Sequence, residues 1–264
     1  MNDGRRRRGS LELNPELAHL QVPRSDRCWW CGDMATTEEH RIKASSLRRV
    51  ARLTDGTATP GNVFKKSSDY ESALHSLQKG TQVRWRRNLC ANCNNSKSQP
   101  FDRAYDDFEA FLVENLDVIP TWKGLDWRNV YGPEWRQSAR NLARYFGKQL
   151  GCLLASHQLR VPPELVEFLN GNDRCPSVWF ALYVNPRAVD FHQRMLCDGF
   201  DYGLSGFIGL LESNAYQTEG VFSGIDHGYH IGYLWLLVHW RDGAEALSWF
   251  EGDAVIDLPR LSDE

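Results

Sequence analysis

Four cysteines stand in two pairs of the same spacing. Cys28 and Cys31 lie in "CWWCG", and Cys90 and Cys93 lie in "LCANCNNSK". Each CxxC lets one tight turn present two sulfurs to the same ion, so four thiolates satisfy a tetrahedral structural zinc. A redox pair would need a CxxC at a strand-to-helix junction of a βαβ unit, a pattern the flanking residues lack. Haem attachment would need a histidine after the second cysteine, where Gly32 and Asn94 stand. Zinc accounts for four residues but leaves "EEH" (Glu38 to His40) and "NNSK" (Asn94 to Lys97) unexplained. An ion joining the two pairs would draw both stretches together. A carboxylate, an imidazole, an amide and a lysine would then converge, a set suited to phosphodiester hydrolysis. A hard divalent cation takes oxygen ligands from a carboxylate and an amide carbonyl. Such a cation polarises the phosphoryl group and stabilises the leaving oxygen. A neutral imidazole can activate the attacking water.

The elements around these residues fit that arrangement. "CWWCG" reads as a knuckle turn, with Gly32 free to adopt positive φ. In "SSLRRVARL", Leu47, Val50 and Leu53 recur at helical spacing, leaving Arg48, Arg49 and Arg52 on the opposite face. "QVRWRRNL" alternates as a strand, carrying Arg84 and Arg86 on one side. "PFDRAYDDFEAFLVENL" places Phe101, Tyr105, Phe108 and Leu112 along one helical face, with Pro100 at the helix start.

At this point the sequence resembles the HNH (ββα-metal) endonucleases, in the zinc-containing branch with an "EH" first motif and a "CNN" last motif. The likeness covers residues 26–112. It implies His40 as general base, Glu39 and Asn94 as ligands of a catalytic Mg²⁺ or Mn²⁺, and Lys97 as the basic residue near the phosphate. Cys28, Cys31, Cys90 and Cys93 would hold the structural Zn²⁺. DNA is the implied substrate, cut to 3'-hydroxyl and 5'-phosphate ends, in phage, mobile-element or defence settings. Arg48, Arg49, Arg52, Arg84 and Arg86 are the nucleic-acid-binding candidates. The chain departs from the family pattern in three ways. The span from His40 to Cys90 is long, which predicts an insertion about residues 55–80. The middle asparagine has no clear counterpart, with Asn62 and Asn88 as candidates. Lys43 stands where a proline is common.

The expected fold class is α+β: a zinc-stabilised ββα-metal module followed by a mixed α+β C-terminal domain. Three regions are expected: a basic, flexible arm over 1–24, a nuclease domain over 25–115, and the C-terminal domain over 116–264. The last combines a long amphipathic helix from "PEWRQSARNLARYFGKQLGCLL", a short one from "PPELVEFLNG", and strands in "SVWFALYV", "GFIGLL", "YHIGYLWLLVHW" and "DAVIDL". The first and third of these strands read as buried. Cys152, Cys175 and Cys197 read as buried hydrophobes. "DHGYH" holds a possible but isolated His227/His230 chelate.

The 264 residues are 42% hydrophobic and 25% charged, the balance of a globular chain able to bury a core. No apolar run reaches the ~20 residues of a membrane helix, and the arginine-rich start lacks the apolar segment of a secretory signal. Together with the cysteine pattern, this predicts a cytoplasmic protein. Charge is uneven. Residues 1–110 carry 19 basic and 14 acidic side chains, net +5, and the remainder is net -8. The basic part suits a polyanion. The acidic part suits a homo-oligomer contact or a protein partner better than DNA. The alternative function is a non-catalytic zinc-containing module that binds nucleic acid or protein.

Overall fold

The computed structural model describes residues 15–55, 64–67, 70–73, 83–197 and 208–260. The arginine run of the N-terminal arm, Asn62, and most of the expected insertion lie outside them. Of that insertion, the tail of a helix and a two-stranded pair are described, β1 (Phe64–Ser67) and β2 (Tyr70–Ala73). The helix is α1 (Ala44–Asp55), where the spacing of Leu47, Val50 and Leu53 predicts one.

The central element is a 22-residue helix, α4 (Trp135–Ser156). A surface helix buries one stripe. Here every residue from Leu142 to Leu154 is buried, Arg144, Lys148 and Gln149 included. Two layers cause this. On one side lies α2 (Gln99–Glu114), where Tyr105 stacks on Tyr145 at 4.2 Å and meets Phe146 edge-on. On the other lies an antiparallel sheet of order β4-β8-β7-β5, with β6 also on β7. Its strands are β4 (Val178–Val184), β5 (Ile208–Leu210), β6 (Asn214–Thr218), β7 (Val221–Ile231) and β8 (Leu234–Arg241). Phe146 packs on Tyr229 with ring centroids 4.9 Å apart. A Cβ at Gly147 would touch Leu165 and Phe180, so glycine there permits close approach to α5 (Pro163–Leu169) and the sheet. The remaining elements flank this core: β3 (Gly124–Asp126), α3 (Trp127–Tyr131), α6 (Pro186–Cys197) and β9 (Val255–Asp257), the last pairing with β3. The chain is α+β, with no helix among the described residues long and apolar enough to cross a membrane.

Three readings need correction. "YHIGYLWLLVHW" is not one strand: it is the end of β7, a turn at Gly232–Tyr233, and β8. Gly232 has φ +58°, the left-handed conformation a tight hairpin requires. Second, β4 and β8 are not buried on both faces. They alternate buried and half-buried residues because only one face meets α4. Third, Cys197, at the end of α6, is exposed, whereas Cys152 and Cys175 are buried.

Candidate functional site

The first cysteine pair sits on a hairpin-like knuckle. Arg27 and Met34 bridge as antiparallel neighbours, and the Cys28 N–H donates to the Asp33 carbonyl at 2.6 Å. Gly32 turns the chain at φ +81°, donating to the Cys28 carbonyl at 2.9 Å. The second pair caps a helical segment. The Cys93 N–H points at the Cys90 Sγ, 3.4 Å away, and the Asn94 N–H donates to the Cys90 carbonyl. The four Sγ atoms lie within 4.8 Å of one another, with Cys31 and Cys90 at 3.6 Å. Zinc–sulfur bonds of ~2.3 Å set a tetrahedral S···S edge of about 3.8 Å. The four thiols are therefore close enough together to hold a metal ion such as zinc. Burial pushes the Cys31 thiol up to about 11 and raises Cys93 further. At Cys90 burial acts the same way but is outweighed by the Cys93 N–H and the neighbouring thiols, which hold it below the ordinary value.

Two extended segments lead away from the cluster and pair with each other. Thr37 bridges Leu89 and His40 bridges Arg84, both antiparallel. The Trp85 N–H donates to the Glu39 carbonyl at 2.8 Å, and the Arg41 N–H to the Val83 carbonyl at 2.9 Å. The backbone of Glu39 and His40 is thus clamped on both sides. After Cys90 the chain runs through a π-helical turn (Asn92–Lys97) into α2. Asn94 lies in that wide turn, one residue past the last cysteine.

Glu39 faces α4. Its Oε1 accepts from the Gln149 amide at 3.1 Å and sits 3.0 Å from the Lys148 ammonium. Lys148 also reaches Asp102 Oδ1 at 3.2 Å and Ser98 Oγ at 3.3 Å. Ser98 in turn donates to the Asn94 carbonyl at 2.7 Å. One continuous chain of contacts therefore runs from Glu39 through Lys148 and Ser98 to Asn94. The Asn94 Oδ1 and His40 Nε2 atoms are buried, and neither has a hydrogen-bond partner among the described residues. Buried polar atoms are rarely left unpaired, and Trp29 Nε1 and Ser45 Oγ are further buried atoms without a partner among the described residues. His40 is half-buried, and its pKa is pushed down to about 4, first by burial and then by Arg84, Arg48 and Lys148. At neutral pH its imidazole is uncharged.

The other expected residues divide. Arg48 is half-buried and acts electrostatically on His40. Arg49 instead forms a 3.2 Å ion pair with Glu109, a fully buried carboxylate of α2. The Arg52 side chain lies outside the described set. Lys97 is exposed with its ammonium 5.7 Å over the Trp30 ring, and makes no contact with the Glu39–Lys148 chain. Arg86 is exposed, and Arg84 is half-buried with its guanidinium directed at the Glu38 carbonyl. Asn88 donates from its amide to the Cys152 carbonyl at 2.9 Å and to Ser156 Oγ at 3.1 Å, tying the second extended segment to α4. His227 is buried between Ser213 Oγ (2.7 Å) and Tyr229 Oη (3.1 Å), and belongs to no metal-ligand cluster among the described residues.

Sequence reasoning missed Lys148, Gln149, Asp102 and Ser98. Only Ser98, one residue past Lys97 and four past Asn94, carried a local signal. Lys148 lies opposite the apolar stripe of α4 and reads as a solvated lysine. No protein-family model, curated protein or solved structure matches the chain.

Proposed function

We propose that this chain is a metal-dependent endonuclease of the HNH kind that hydrolyses phosphodiester bonds in DNA. One observation supports the reading: the segment bearing Glu39 and His40 is linked through Lys148 and Ser98 to the turn bearing Asn94, which directly follows the four-cysteine cluster's last ligand, and His40 Nε2 and Asn94 Oδ1 are both buried and unpartnered among the described residues. The cysteines would hold a structural zinc, whose role is to fix the two segments relative to each other. A Mg²⁺ or Mn²⁺ ion would polarise the scissile phosphate and stabilise the leaving 3' oxygen.

The residues divide the remaining work. Asn94 Oδ1 and the Glu39 carboxylate are the oxygen donors. Both described contacts to Glu39 fall on Oε1, so Oε2 faces no competitor from Lys148 or Gln149. The neutral His40 imidazole accepts the proton of the attacking water, and its backbone clamp holds it in place. Arg48, beside His40, supplies positive charge for the phosphate. Lys97, exposed over Trp30, meets the backbone further out.

The test is cleavage of supercoiled plasmid by the purified protein with Mg²⁺ or Mn²⁺. Metal-dependent nicking or linearisation is expected, and His40→Ala should reduce it at least 100-fold, the general-base contribution. No cleavage on any substrate, or equal cleavage by His40→Ala, overturns the catalytic reading. It would leave the chain as a non-catalytic zinc module.

A further inference from the structure

A concentration of positive charge among the described residues lies outside the Glu39–Lys148 chain. Two adjoining clefts, about 490 and 290 Å³, open beside the first cysteine knuckle. They share Arg24, Arg86 and Arg87, and the second adds Arg27 and Arg160. These five arginines come from three separate stretches: the segment entering the knuckle, the second extended segment, and the residues just after α4. All five are exposed, and none forms an ion pair among the described residues. The acidic residues lining the clefts are Asp26 and Glu38, both in the first.

We propose that this arginine-lined double cleft is a track for the phosphate backbone of duplex DNA, leading to His40. The proposal rests on the nuclease reading for its substrate, but its geometry is separate. Five exposed guanidinium groups that outnumber the two carboxylates beside them repel one another, and a polyanion relieves that cost. Guanidinium forks match phosphate oxygens in paired contacts. The arginines are spread over two concavities rather than aimed at one point, which fits a row of phosphates and not a single small anion. The first cleft also adjoins the His40 segment. Glu38 and Arg84 line it, and Arg84 is the bridge partner of His40. Arg160 brings the C-terminal part of the chain into the grip. The acidic excess of that part does not extend to this corner.

The experiment is fluorescence anisotropy with a labelled 30-base-pair duplex, in Ca²⁺ buffer to prevent turnover, across a salt series. Five phosphate contacts predict a slope of log K against log salt near -4.5, at roughly -0.9 per contact. The double variants Arg86→Ala/Arg87→Ala and Arg27→Ala/Arg160→Ala should each flatten the slope by about 2. Each should weaken binding about tenfold or more at 0.1 M salt, with unchanged thermal melting. The matching lysine doubles should restore the slope. Alanine doubles that bind with the wild-type slope overturn the track, whether or not the protein cuts plasmid. Binding that depends on these arginines in a protein that cuts nothing upholds the track and removes the nuclease reading instead.

Discussion

The ammonium of Lys148, on the central helix, lies 3.0 Å from Oε1 of Glu39, more than one hundred residues earlier in the chain. The lysine is fully buried. Burial alone would favour its neutral form, but Glu39 and Asp102 outweigh that and hold its pKa above the ordinary value. The contact ties the segment carrying Glu39 and His40 directly to the helix that organises the C-terminal sheet.

Removing this charge leaves two carboxylates facing each other in a poorly solvated site. Breaking one side of a buried ion pair costs about 3–5 kcal/mol. Lys148→Met should therefore lose roughly that much stability in urea denaturation at pH 7. A loss below about 1 kcal/mol would mean that solvent already reaches the pair.

The cysteine cluster predicts a stoichiometry. Protein purified without chelator should carry about one zinc per chain by elemental analysis, since four thiolates make one closed site. Cys28→Ser and Cys93→Ser should each lose the metal and melt at lower temperature. Cys197→Ser, at an exposed position on α6, should keep both metal and stability. Metal retained in full by Cys28→Ser would show that the cluster is not the site.

The two parts of the site differ in how far the sequence exposes them. Cys28, Cys31, Cys90 and Cys93 announce themselves, because thiol spacing encodes a turn geometry that needs no tertiary context. The pairing of residues 37–41 with 83–89 follows once the cysteines are joined. Lys148 follows from nothing local. Its burial is created by α2 and the Glu39 segment closing over a helix face that reads as polar, and no spacing rule encodes that closure. Arg160 and Arg27 are hidden for the same reason: they become neighbours only through the fold. The β7–β8 hairpin was obscured by its own composition. "IGYL" continues an apolar run, and a single glycine at positive φ reverses it.

The docking of the knuckle on α4 depends on a glycine. A Cβ at Gly151 would overlap the Trp29 indole. Gly151→Ala should cost about 1–3 kcal/mol through overpacking, despite alanine's better helix propensity. Trp29→Leu in the same background should recover part of the loss. If Gly151→Ala alone is neutral or stabilising in denaturant titrations, Trp29 moves freely and the knuckle does not rest on the helix.

Acid should unfold the protein partly through His227. It is enclosed by Ser213, Tyr229 and Trp85, with Arg41 and His157 as the nearest cationic groups. Burial first, then Arg41 and His157, push its pKa down to about 3, and burial with Arg41 and Arg86 pushes His157 to about 4. An unfolded chain protonates these histidines near pH 6.5. Below that pH the unfolded state binds more protons than the folded one, so stability is full above 6.5 and falls as the pH drops toward 4. The slope is about 1.4 kcal/mol per pH unit for each histidine. Glu109 works in the opposite sense, because burial raises its pKa and the folded state takes up its proton first. The variant His227→Asn isolates one contribution. Its urea stability should fall less steeply between pH 6 and pH 4, by about 1.4 kcal/mol per unit. Parallel slopes for the variant and the native chain would mean that His227 is protonated in the folded state, against its enclosure by two hydroxyls and an indole.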